Sequence, residues 1–395
     1  MATDIGIGFS QKGDPKEAAR EAAFQANLMA DQPHIQFVIV LATIHYDPHV
    51  VLTIVQETFP QAKIIGSSTA GILLSDRIAT HGIAILALSS SDMHFGTYAV
   101  EDLPHQDIRQ AGFLLGQKTV IDYEFPRRQL FLFFVDSMIK DSYFLLKGLQ
   151  EVFGNVFPII GAGSSDNFHL EQTYQFYQNR PLTQAVTGVL MGGQMGIGFG
   201  SKHGWMPLGK PRFIDEMSGS LIRKIDRQPA AHIYQEYFGE EMTHLMDSKM
   251  HPLSILYPLG IYLEEENEYL LRTVVQIHED GSMACQGAIP SGAEIHIMMG
   301  NKDACQQAAF GAAIEAHQSL MGKKAQLVLV FESMTRYRLL GRNAIKEMNT
   351  LKEVFGSKTP ILGMYTFGEF APFKSLDSLT NTHLQNGSFT VVAIG

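Results

Sequence analysis

Three short stretches set hydroxyl groups beside glycine at the end of an apolar run: IGSSTAG (Ile65–Gly71), IGAGSSD (Ile160–Asp166) and LGMYTFGE (Leu362–Glu369). Glycine lets a backbone approach a ligand closely, and Ser and Thr hydroxyls both donate and accept hydrogen bonds. Read as turns beyond strand ends, where α/β proteins hold small molecules, they make Ser67, Ser68, Thr69, Ser164, Ser165, Asp166, Thr366, Gly368 and Glu369 candidate ligand-binding residues. The competing reading is that these hydroxyls satisfy their own backbone in tight turns. A turn Ser or Thr acting as nucleophile would instead make the chain a hydrolase or transferase. Against that, Ala70 stands where a G-x-S-x-G elbow needs glycine.

Other catalytic signatures fail. GGQMGIGFG (Gly192–Gly200) lacks the G-x-G-x-x-G spacing, and neither a Walker A sequence nor HExxH occurs. The chain therefore reads as a binding protein rather than an enzyme. Arg272 and Arg336 are the cations that would pair with a ligand carboxylate, or else form structural ion pairs. Among fifteen histidines, His296 shares a strand face with Glu294 and Met298, and His with Met can ligate haem iron. A chance edge pair gives the same spelling. His203 lies beside Trp205, the single tryptophan, at a junction between two halves, where pockets are common.

Bulk properties narrow the partners. With 45% apolar and 18% charged residues the chain is globular, and 395 residues exceed one ordinary core. A net charge of −10 without a basic stripe argues against nucleic acid. Two cysteines, without CxxCH, argue against a disulfide framework and a covalently attached haem. The start MATDIGIGFS has no basic n-region, and no apolar run approaches the roughly 20 residues that cross a bilayer. A cytoplasmic chain without a membrane partner is expected.

The elements that position these residues follow a recurring order. Asp14-Pro15 and Asp47-Pro48 open capped helices around the strand FVIVLATI, and AKIIG and GIAILAL are further strands. LFLFFV, a helix through Phe153, PIIG and AVTGVLMGG repeat the order; so do QLVLVF, the helix Asn343–Phe355, PILG and SFTVVAIG. VFGNVFPIIG and VFGSKTPILG even share spelling in register. SILYPLGIYL and EYLLRTVVQI read as a hairpin, and AEIHIMM as a strand before a helix capped by Asn301 or Asp303. The expected fold is α/β, with mixed sheets flanked by helices and built from repeated strand-helix-strand-turn-strand units. A boundary at 202/203 divides it into domains 1–202 and 203–395.

IIGSSTAG, PIIGAGSSD and KHGWMPLG together resemble the N-terminal FIST domain, named for F-box and intracellular signal transduction proteins. QPAAHIYQEYFG, LLRTVV, AIPSGAEIHIM, FESMTRYRLLG, ILGMYTFGEFAP and LQNGSFTVV resemble its C-terminal partner domain. Two positions depart from the family's usual pattern: Ser333 replaces a common Cys, and Gln385-Asn386 a common His-Asn pair, which leaves Asn386 as a candidate ligand contact. The resemblance implies a sensory module for a small molecule, proposed for the family to be an amino acid. It is similar to stand-alone members that bind haem b, sense the gas nitric oxide and regulate a separate histidine kinase or cyclic-di-GMP enzyme. His203 and His296 would then be the candidate axial ligands.

Overall fold

Runs such as FVIVLAT and LFLFFV lack polar alternation, so a strand of that composition must be covered on both faces. The computed structural model describes residues 3–30, 34–139, 141–167, 169–239, 252–264, 266–290, 292–373 and 381–395. In it, β2 (Phe37–Thr43) leads through α2 (Pro48–Thr58) into the parallel strand β3 (Lys63–Thr69), and β6 (Ile83–Ser90) returns antiparallel on the other side of β2. The same arrangement recurs in β8 (Arg128–Val135), α4 (Tyr143–Phe153), β9 (Ile159–Gly163) and β12 (Val186–Gly193). It recurs again in β22 (Leu327–Ser333), α9 (Ile345–Phe355), β23 (Ile361–Thr366) and β26 (Phe389–Ile394). A further antiparallel strand lies beyond each return strand: β1 (Thr3–Ser10), β7 (Met93–Val100) and β13 (Ile197–Lys202).

These three sheets wall one central core. Phe37, Ile39 and Leu41 of β2, Leu130, Leu132 and Phe134 of β8, and Leu327, Leu329 and Phe331 of β22 all point into it. The alternate residues face outward under helices. Val38 and Val40 meet α1 (Pro15–Ala30) and α2, and Phe131 and Phe133 meet α3 (Ile108–Tyr123) and α4. Val328 and Val330 meet α7 (Lys302–Gln318) and α9. Both faces of each strand are thereby buried, which is why the sequence shows continuous apolar runs. Mixed α/β architecture with helix-flanked mixed sheets is what the sequence predicts.

Helix starts are set locally. Asp14 accepts the Glu17 N–H at 2.8 Å, Asp47 that of His49 at 2.9 Å, and Asn301 those of Asp303 and Ala304. The glycine run of β13, which fits no nucleotide signature, has a packing role: Cβ atoms on Gly198 and Gly200 would lie 1.9 and 2.3 Å from the Ala316 and Ala312 carbonyl oxygens of α7. α3 has no apolar stripe in sequence because Gly112, Gly116 and Thr119 form part of its buried face.

The sheets are interleaved across residue 202. Strands β4 (Ile72–Leu74) and β5 (Ile78–Ala79) extend the sheet of β22 and β23, while β24 (Glu369–Pro372) and β25 (Thr382–Gln385) extend that of β8 and β9. Residues 1–202 and 203–395 consequently do not form separate cores. A fourth sheet, of β14 (Trp205–Ser218) to β21 (Glu294–Gly300), packs over its own cluster around Ile222, Leu259 and Ile297. Within it EYLLRTVVQI is not one strand but two, β18 (Glu268–Arg272) and β19 (Val274–Ile277). The chain breaks at Thr273, whose N–H donates to the Asn386 side chain at 3.0 Å. Among the described residues no helix is long and apolar enough to cross a membrane.

Candidate functional site

Strands β3, β9 and β23 end side by side, so the structure brings the three hydroxyl-bearing stretches together. Ser67 Oγ donates to Ser164 Oγ at 2.6 Å, and Ser165 Oγ and Thr69 Oγ1 both donate to the Tyr365 carbonyl, at 2.6 and 2.8 Å. Gly163 and Gly368 are joined by an N–H to carbonyl bond at 2.8 Å. The residues are not turns, however. Ser67, Ser68, Thr69 and Thr366 lie within their strands, and Ser164 and Ser165 follow β9 directly. All six are buried, and their side chains are spent on one another and on backbone. They form a seam rather than an open pocket. Asp166 acts locally. Its carboxylate accepts the N–H groups of Leu170, Glu171 and Gln172 at 3.0, 2.7 and 3.2 Å and shapes the loop after β9.

That loop walls a cleft of about 730 Å³ at the carboxyl end of β8, lined by Gln106, Ile108, Asp136, Met138, Glu171, Thr173 and Gln184 among others. Asp136 follows β8 directly and is buried. Its two oxygens accept one backbone N–H each, from Met138 and Gln184, both at 3.0 Å. Burial raises its pKa above the ordinary carboxylate value. Thr43 and Ser333, the last residues of β2 and β22, hold the matching places: each of the three backbone N–H groups donates at 3.0 Å, Thr43 to the Gly82 carbonyl, Asp136 to that of Ala185 and Ser333 to that of Ser388. Thr43 and Ser333 spend their hydroxyls on Gly82 and Thr335, whereas Asp136 faces the cleft. Backbone strain gathers here, with non-glycine φ of +58° at Asp102, +60° at Asn167, +53° at Leu170 and +49° at Gln184. The sequence reading missed Asp136; its signal is an acid placed immediately after an all-apolar strand.

The seam is linked to the cleft by Gln175, whose Nε2 donates to Ser164 Oγ at 3.0 Å and to Thr173 Oγ1 at 3.1 Å. On its other side lies a fully buried charge cluster. Arg336 donates to the carbonyls of His203, Cys305 and Gly387 and pairs with Glu347. Burial opposes its charge, but Glu347, Cys305 and Glu332 outweigh that and raise its pKa. Burial and the Glu347 charge push the Glu332 carboxyl well above the ordinary carboxylate range.

Glu369 is held by Thr366 Oγ1 and by the N–H and hydroxyl of Ser388, and burial pushes its carboxyl from 4.5 up to about 7. Since the folded value is the higher one, the native state binds the extra proton between pH 4.5 and 7 and stability falls as pH rises through that window. Glu369→Gln is expected to raise stability by about 2 kcal/mol at pH 8 and to have little effect at about pH 4.5. Urea unfolding at the two pH values measures this; an equal effect at both would refute it.

The FIST N domain matches residues 36–228 and the FIST C domain residues 230–372. The chain belongs to the FIST family. FIST domains act as small-ligand sensors in signal transduction. No curated protein matches. Two cyanuric acid hydrolase structures are similar over the full length. That from A. caulinodans is 8% identical with a TM-score of 0.41, covering 100% of this chain and 99% of its own; a second is 6% identical with a TM-score of 0.39, covering 100% of both. Neither likeness is strong enough to bear on function.

In this FIST protein the residues at the two departing positions are structurally committed. Ser333 Oγ bonds Thr335 Oγ1 at 3.0 Å, Gln385 bridges Ser201 and Ala371, and Asn386 bonds Thr273, Gln286 and Gln385. A haem does not fit the candidate ligands as they stand. His203 Nδ1 accepts the Trp205 N–H at 2.9 Å, and its unbonded Nε2 is packed beside the Tyr269 backbone. His296 Nε2 is 3.5 Å from Glu294, and its ring meets Tyr269 edge-on. Trp205, Leu271 and Met298 fill this region as a buried cluster, and neither histidine lines the cleft at Asp136.

Proposed function

We propose that this FIST protein senses a small amine-bearing ligand, a class that includes free amino acids, in the cleft beyond β8. The observation that carries the reading is Asp136: a buried carboxylate at a strand end, with acceptor capacity beyond its two backbone donors and the Thr173 hydroxyl, in a cleft whose described lining holds Glu171 but no Lys, Arg or His. Desolvation makes a bare carboxylate costly there, and an ammonium ion would relieve that cost through a charge-assisted hydrogen bond. Response to the ligand would pass through the loop wall. Leu170, strained at φ +53°, packs with Ile255, Val275 and Phe367, so a shift of the loop is felt in the C-terminal half. A separate histidine kinase or cyclic-di-GMP enzyme would receive the signal by docking.

Thermal unfolding against a panel of amines and amino acids tests the reading. A ligand at about 100 times its Kd adds about 2.7 kcal/mol. Glu171→Gln, on the exposed wall, should keep the fold and weaken binding about tenfold, and Asp136→Asn should abolish it. No shift from any member, or full binding by both variants, would refute the proposal. Expression with haem precursor adds a decisive alternative: a Soret band that moves with nitric oxide would replace the amine reading with the haem one.

A further inference from the structure

Burying a guanidinium without an acid is unfavourable unless an anion arrives. Arg272, at the end of β18, is 2% exposed, and its hydrogen bonds are all to carbonyls: Nε to Ala288 at 2.8 Å, and Nη1 to Leu271 and Leu384 at 2.8 and 2.9 Å. Nη2, with two N–H groups, has no partner among the described residues, and no carboxylate there lies within ion-pair distance of Arg272. Two more bases converge on it. His383 precedes Leu384 on β25, and its buried Nε2 makes no hydrogen bond. Lys147 of α4, the helix that packs on β25, stands 5.1 Å from the Tyr143 ring. Burial, then the Arg272 and Lys147 charges, hold the His383 imidazole down to about 4, so it is a neutral hydrogen-bonding group at pH 7. Glu266 is the acid that faces this group, with Oε1 3.8 Å from His383 Nε2. Cys285, also close to Arg272, remains a thiol, its pKa pushed up to about 12 by burial.

We propose that Arg272, His383 and Lys147 form a second ligand site, distinct from the Asp136 cleft, that takes the oxyanion of a small molecule, a carboxylate or a phosphate. The free Nη2 edge supplies directed N–H donors, Lys147 a mobile point charge at the half-exposed rim, and His383 Nε2 a third contact. Gly287 completes the cradle: a Cβ there would lie 3.2 Å from the Arg272 guanidinium carbon.

The decisive experiment is calorimetric titration of the full chain with inorganic phosphate and with acetate, against chloride at matched ionic strength. Saturable binding of either anion supports the site, and the tighter one identifies the ligand chemistry. Lys147→Met, at a half-exposed position, should fold normally and bind about tenfold more weakly. Arg272→Met should bind neither anion, and replacing an uncompensated buried cation with an apolar chain should leave its unliganded unfolding midpoint near or above that of the wild type. Phosphate and acetate acting no differently from chloride, or Lys147→Met binding as wild type, would overturn the proposal. So would a fall in the Arg272→Met midpoint with no anion effect in wild type, which marks a purely structural arginine.

Discussion

Arg336→Met is expected to destabilise the protein by about 3–5 kcal/mol, the usual cost of removing one partner from a buried ion pair. Arg336 and Glu347 are both fully buried, and nothing polar from solvent can replace the guanidinium. The loss has two parts. The Glu347 carboxylate is left without its cation, beside Glu332, whose pKa burial and the Glu347 charge already raise. The carbonyls of His203, Cys305 and Gly387 also lose a donor. The variant should therefore acquire a pH dependence. An unpaired, buried Glu347 takes a raised folded pKa, so stability falls as pH rises above the ordinary carboxylate range. Urea unfolding at about pH 5 and pH 8 should show the larger deficit at the higher pH, and adding Glu347→Gln should recover part of it. A deficit below about 1 kcal/mol at both pH values would mean that the pair contributes no more than a surface ion pair does.

Gly8→Val is expected to prevent folding to the native state, seen as loss of soluble protein or of a cooperative thermal transition. A Cβ on Gly8 would sit 1.8 Å from the Ala22 carbonyl oxygen of α1, and one on Gly6 equally close to that of Ala26. Backbone is the obstacle in both cases, so no rotamer change relieves it, and the surrounding Ala18, Ala19, Ala22, Ala23 and Ala26 leave no space for α1 to retreat within the core. Overpacking of well-filled cores typically costs about 1–3 kcal/mol when side chains can adapt; a backbone collision exceeds that. Gly13→Ala is the matched control, since an added Cβ meets nothing within 4 Å, and its stability should stay within about 1 kcal/mol of wild type. A folded Gly8→Val with wild-type stability would show that β1 and α1 pack more loosely than these distances imply.

The candidate site was legible only in part. The three hydroxyl stretches stand out in sequence because small polar residues after apolar runs are conspicuous, and they do meet. Their role as a closed seam could not be read, because each hydroxyl finds its partner far along the chain: Ser67 at Ser164, Ser165 at the Tyr365 carbonyl. Arg272 and Arg336 were visible as cations, but whether each has an acid depended on Glu347 arriving beside one and no described carboxylate beside the other. Asp136 carries no local signal beyond an acid after an apolar strand, because the cleft that gives it a role is built by residues distant in sequence, such as Thr173 and Gln184.

By itself the sequence determined what local physics controls. Asp14, Asp47 and Asn301 satisfy helix N–H groups within three residues, and doubly apolar runs demand strands covered on both faces. The tertiary structure alone decided the rest. Which sheet receives β4 or β24, that the fold interleaves across residue 202, and that the end of β8 opens into a cleft all depend on pairings between distant segments. Backbone donors and acceptors are alike in every strand, so nothing in a single segment names its neighbour. Burial of the shared core selects the partner once the whole chain has folded.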